Sequence, residues 1–145
     1  MKRTLEFASH PGNLAMMRDF VRSFLTAPPF RFTESETDLM VLGIDEACTN
    51  IIRYAYQHEE THPIILTCEQ NDNKATFRLR DIGTQCDPSK LCPRPLDEVK
   101  PGGLGLYLIK RAFDRVDYFL KDQGTELVLV KLAQPADSAA PTGPT

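Results

Sequence analysis

The chain has 145 residues, 41% hydrophobic and 26% charged, with a formal net charge of −3. That size and balance fit one soluble globular domain with its own core. Slight acidity argues against direct nucleic-acid binding, which needs a basic face, and no apolar run approaches the roughly 18 residues of a membrane span.

The start shares only Lys2 and Arg3 with a signal peptide, because Glu6, Ser9 and His10 interrupt any apolar stretch. A cytoplasmic location is therefore expected. Residues 3–8 alternate and predict a first strand. Pro11 stands where a helix can begin, and Leu14, Met17, Val21 and Phe24 recur at helical spacing until Pro28 and Pro29 end the pattern. Thr33 followed by Glu36 fits a capping box, which predicts a long helix reaching Tyr56 to His58, before Pro63. Ile64–Glu69 reads as a strand, Asn71–Asn73 as a turn, and Lys74–Asp81 as a second strand with Ala75, Phe77 and Leu79 on one face. The same period puts Asp81 on that apolar face.

Residues 82–103, with Gly83, Pro88, Pro93, Pro95, Pro101 and a glycine pair at 102–103, form a stretch too long for a simple connection. A functional loop or lid over residues 84–103 is expected there. Leu104–Arg115 reads as a helix packing through Leu108, Ile109, Ala112 and Phe113. Val116–Leu120 and Thr125–Leu132 form a hairpin across Lys121–Gly124, and the Pro- and Ala-rich segment 134–145 is expected to be a disordered tail after a single domain over 1–133. These elements predict an α+β, two-layer sandwich whose mostly antiparallel sheet is covered on one face by helices. Cys48 and Cys68 fall on core-facing positions and are expected to be buried. Cys86 and Cys92 lack C-x-x-C spacing, and His10, His58 and His62 form no ligand set.

Three segments carry chemistry. On the long helix, Val41, Ile44, Cys48, Ile51 and Ala55 make an apolar stripe, and Glu46 and Asn50 lie roughly opposite it, one turn apart. A carboxylate can take a proton from a nucleophile, and a carboxamide oxygen suits Mg²⁺. The plainer alternative is two solvated polar residues. Asp81, with Gly83 two residues on, offers a pure acceptor suited to an exocyclic amine; the alternative is an aspartate capping its own backbone. Gly103-Leu104-Gly105-Leu106, running into a helix, exposes free backbone N–H groups where the helix dipole favours phosphate. Neither the P-loop pattern nor the dinucleotide fingerprint is present.

In this order the segments resemble the GHKL, or Bergerat-type, ATPases, with a histidine-kinase-like ATPase fold. Glu46-Ala-Cys-Thr-Asn50 with Tyr54-Ala-Tyr56, and Gly103-Leu-Gly105-Leu-Tyr107-Leu-Ile109, most resemble the bacterial anti-sigma factor serine kinases of the RsbW and SpoIIAB type, over roughly residues 3–132. The resemblance implies ATP and Mg²⁺ as ligands. It makes Glu46 the general base facing a partner's serine, Asn50 the Mg²⁺ ligand, and Asp81 the acceptor for the adenine amino group. Gly83 would let the ring approach, and Gly103, Leu104, Gly105 and Leu106 would wrap the phosphates. Thr125 would support Asp81, and Lys100 or Arg94 would meet the γ-phosphate. Arg53 would reach a phosphate or remain solvated. The implied partners are a sigma factor and an antagonist protein carrying the acceptor serine, and the resemblance suggests a homodimer. One departure stands out: the family's D-x-G-x-G has its second glycine replaced by Gln85. That keeps open an alternative, a catalytically weak, nucleotide-dependent binder that sequesters its partner.

Overall fold

The computed structural model describes residues 1–28, 32–85 and 104–133, with the side chains of 104–106 outside that description. The expected loop from 86 to 103 and the tail from 134 lie outside the described residues, as do Cys86, Cys92, Arg94, Lys100 and Gly103.

Strand β1 (Lys2–Ala8) leads through a single 3-10 turn at Pro11–Asn13 into helix α1 (Leu14–Thr26), and α2 spans Glu34–Asn50. Strands β2 (Pro63–Asn71) and β3 (Lys74–Asp81) follow, then helix α3 (Leu104–Ala112) and strands β4 (Arg115–Leu120) and β5 (Thr125–Leu132). The sheet order is β1-β2-β3-β5-β4, and every described pairing is antiparallel. Asp72 and Asn73 supply the two positive φ angles that a tight β2–β3 hairpin requires.

The helices lie against one face of this sheet. Met17, Val21, Phe24 and Leu25 of α1, Met40, Val41, Ile44 and Cys48 of α2, and Ile109 and Ala112 of α3 meet Phe7, Leu66, Cys68, Phe77, Leu79 and Leu129 in one core. Phe77 sits edge-on to both Phe24 and Phe113 at centroid distances of 5.9 and 5.8 Å. Cys48 and Cys68 are buried free thiols, and burial pushes Cys68 up to about 12. No described helix is long and apolar enough to cross a membrane.

The predicted capping box is present: Glu36 N–H donates to Thr33 Oγ1 at 3.0 Å, and Thr33 N–H donates to Glu36 Oε1 at 2.8 Å. Two boundaries depart from expectation. Helix α3 ends at Ala112, short of Arg115, because the sheet captures the chain: Asp114 N–H donates to Val130 O at 2.8 Å and its carboxylate accepts from Leu132 N–H at 2.7 Å. The long helix stops being α-helical at Asn50 and widens into a π turn over Ile51–Ala55, closed by Tyr56 N–H to Ile51 O at 2.9 Å. Gln57 and His58 then turn the chain back with φ of 51° and 68°.

Gly124 closes the β4–β5 hairpin at φ +79°, and a Cβ there would overlap the Asp81 carbonyl oxygen. Gly124→Ala is expected to cost at least about 2 kcal/mol, the left-handed strain plus a backbone clash. Urea denaturation checks this through a lowered midpoint at unchanged slope.

Candidate functional site

Asn50 is the last α-helical residue of α2, and the π turn after it brings the chain against the end of β3. Thr84 N–H donates to Ala55 O at 2.8 Å, and the space a Cβ on Gly83 would need is filled by the Ala55 carbonyl. Gly83 is thus held against the π turn, on the side where a side chain would project. Tyr56 reinforces the join: its hydroxyl donates to Pro63 O at 2.5 Å and accepts from Ile82 N–H at 2.9 Å. Its ring stacks on His62 at 4.8 Å. The helix carrying Glu46 and Asn50 is therefore stitched to the strand end carrying Asp81 by residues five to six positions past Asn50. A π turn at such a junction is common at functional sites.

Asp81 lies on the core face as its strand period requires, and is 5% exposed. Burial pushes its carboxyl above the ordinary aspartate range; N–H donation from Gly83, the charge of Arg80 and N–H donation from Thr125 pull it back. Gly83 N–H reaches Oδ1 at 2.9 Å, so the expected self-capping turn is present as well. Thr125 is the cross-strand partner of Asp81. Thr125 and Asp81 are thus brought together.

Glu46 and Asn50 are both half-buried on α2, and no ion pair or hydrogen bond engages the Glu46 carboxylate among the described residues. Asn50 Oδ1 is buried with no hydrogen-bond partner among the described residues. An unsatisfied buried acceptor costs about 1–3 kcal/mol, so this oxygen stands available to water or a ligand. A hard oxygen of this kind fits Mg²⁺, which is usually held by one or two protein oxygens together with substrate phosphates. No described group of three His, Cys, Asp or Glu side chains could form a separate metal centre. Arg53, half-buried, rests 5.8 Å from the Tyr54 ring centroid. Leu104, Gly105 and Leu106 form the first turn of α3, and Gly43 of α2 takes the close approach of Ala112 and Phe113 from its other end. Lys100 and Gly103 are outside the described residues.

The contacts of three residues the sequence does name, Tyr56, Gly124 and Gln85, escape sequence reasoning. Gln85 Nε2 donates to the carbonyl oxygens of Lys121 and Gly124, bridging the residue after Thr84 to the hairpin turn. Arg80 grips the same turn through Gln123 O at 2.8 Å. The separations of 36 to 43 residues leave no local signal for either contact.

Comparison with known proteins decides the family. The model of the histidine kinase-like ATPase domain matches residues 7–131. A serine-protein kinase RsbW of Bacillus cereus (strain AH820) is 30% identical over 111 residues, covering 71% of this chain and 68% of the relative. The chain belongs to the RsbW-type branch of the histidine kinase-like ATPases. An RsbW of Bacillus thuringiensis (strain Al Hakam) is 28% identical over the same shares. Among solved structures, the RsbU and RsbW domains of a Mycobacterium tuberculosis protein superpose with a TM-score of 0.67 at 15% identity, covering 94% of this chain and 34% of that one. The histidine kinase domain of a blue-light activated kinase from Erythrobacter litoralis gives 0.59 at 11% identity, covering 85% and 60%. Both superpositions agree with the predicted fold, an α+β sandwich with an antiparallel sheet covered on one face by helices.

Proposed function

We propose that the protein transfers the γ-phosphoryl group of ATP to a serine of an antagonist protein and, with nucleotide bound, sequesters a sigma factor. Membership of an RsbW-type ATPase family supports the activity, and the orphaned Asn50 Oδ1, one turn past an unengaged Glu46, carries the assignment of roles. Glu46 accepts the serine proton as the serine oxygen bonds to the γ-phosphorus, and the bond to the β-phosphate oxygen breaks to release ADP. Asn50 would hold Mg²⁺, which when bound neutralises charge on the phosphates. Asp81 receives the adenine amino group, Thr125 steadies that carboxylate, and the amides opening α3 at Leu104–Leu106, together with Gly103, cradle phosphate. Lys100 and Arg94 are the candidates to meet the γ-phosphate, and Arg53 the candidate to reach a phosphate from α2's end.

Incubation with radiolabelled ATP, Mg²⁺ and candidate antagonist proteins tests the activity: label on an antagonist serine is the expected result. Label on none of them, with a sigma factor still bound, would replace the kinase with a nucleotide-gated binder. Asn50→Ala separates the metal role from the base. Its Mg²⁺-ATP affinity is expected to fall at least about tenfold, the loss that even an outer-shell partner of a metal can cause. Affinity for ADP in EDTA should change little, and calorimetry in the two buffers reads the difference.

A further inference from the structure

We propose that Gln85 is a positioning residue for nucleotide binding: its carboxamide fixes the Gly124–Thr125 peptide and, through it, the carboxylate of Asp81. The inference rests on the reading of Asp81 as the base-recognising group. Its basis is a single rigid plane. Gly124 C=O and Thr125 N–H belong to one peptide unit, and a peptide unit does not twist. Gln85 Nε2 donates to the oxygen of that unit, whose N–H is that of Thr125, the cross-strand partner of Asp81 and one of the groups that pull its carboxyl back down. Holding the oxygen therefore aims the hydrogen.

Among the described residues, the surrounding contacts leave Gln85 as the side chain that does this from the β3 side. Arg80 grips the neighbouring carbonyl, Gln123 O, and the Asp81 carbonyl rather than that of Gly124. Lys121 N–H reaches Gly124 O at 3.1 Å from within the hairpin itself, and Gln85 also takes Lys121 O, so it clasps both ends of the turn. The backbone beneath Gln85 is fixed in turn: Thr84 N–H is tied to Ala55 O and Ile82 N–H to Tyr56 Oη. A glycine at position 85 would supply none of these donors. In this chain the departure from D-x-G-x-G thus adds a strap between the helix end, the strand end and the hairpin.

Three substitutions at this exposed position test it. Gln85→Met keeps length and bulk without donors, Gln85→Glu puts an acceptor against two acceptors, and Gln85→Gly restores the family residue. Affinity for a fluorescent ADP analogue is expected to fall about 3–10-fold in Gln85→Met, the worth of the lost hydrogen bonds, and further in Gln85→Glu. In ATP titrations the loss should appear in KM, with kcat within about twofold, since the strap touches neither Glu46 nor the acceptor. Nuclear magnetic resonance supplies a readout that simple packing would not move: faster exchange of the Thr125 amide and an upward shift of the Asp81 carboxyl titration in Gln85→Met. Equal ADP affinity in wild type and Gln85→Met, or an unchanged Thr125 amide and Asp81 titration, overturns the proposal. Failure of the wild type to bind ADP would instead sink the nucleotide reading itself, and the Thr125 measurement would still decide whether Gln85 holds the peptide.

Discussion

Glu46→Gln is expected to lower phosphoryl transfer to the antagonist by about 10²–10⁴-fold, the range a positioned general base contributes. The substitution is isosteric and removes only the capacity to take a proton. Glu46 is half-buried on α2 and engaged in no described ion pair or hydrogen bond, so its neutralisation breaks no structural contact. Melting temperature and nucleotide affinity should therefore stay close to wild type, and partner sequestration should survive, because it needs a bound nucleotide and an intact surface. The contrast with Asn50→Ala is sharp despite their shared helix face: one loses turnover, the other the Mg²⁺-dependent part of binding. Single-turnover transfer at saturating ATP is the measurement. Transfer at the wild-type rate would remove Glu46 from the base role and leave positioning and charge neutralisation as the source of catalysis.

The legible parts of this molecule are those that local chemistry decides. The capping box at Thr33 and Glu36 and the alternation of β3 both concern neighbours a few residues apart, and the latter placed Asp81 on the buried face from sequence alone. The π turn was not legible. Ile51–Ala55 contains neither proline nor glycine and continues the apolar stripe, so nothing local marks the change of period. What decides it is distant: Ala55 O is taken by Thr84 N–H and Tyr56 Oη by Ile82 N–H, and a turn widened by one residue meets both. Gln85 shows the same limit from the other side. Its sequence context marks a lost glycine, whereas its contacts lie on a hairpin some 36 to 39 residues on. For Glu46 and Asn50, spacing revealed a shared face, but only the structure revealed that Asn50 Oδ1 is buried and without a partner among the described residues.

Asp81→Asn is expected to move stability and affinity in opposite directions. Burial holds the Asp81 carboxyl above its ordinary range despite N–H donation from Gly83 and Thr125 and the charge of Arg80. A carboxyl whose native pKa exceeds its unfolded value binds its proton more tightly in the folded chain. Its contribution to stability is full below the unfolded pKa and is lost as pH rises through the native one. At neutral pH the ionised side chain is therefore a burden on the nucleotide-free fold. Asparagine carries no charge at any pH, is nearly the same size, and keeps an oxygen for Gly83 N–H. The nucleotide-free variant should melt at or above the wild-type temperature near pH 7, with the advantage shrinking as pH falls through the native pKa. Nucleotide binding should go the other way. Losing a charge-assisted hydrogen bond to the adenine amine in a desolvated site costs roughly 1.5–3 kcal/mol, about ten- to hundredfold in affinity. GTP, whose 6-oxo group faces Asp81 acceptor to acceptor, should bind poorly to wild type. Calorimetry with ADP and thermal melts from pH 4 to 8 give both halves. A carboxylate that merely caps Gly83 predicts the same melting behaviour, since asparagine keeps that acceptor, but unchanged ADP affinity, so the affinity measurement separates a base-recognising acid from a structural one.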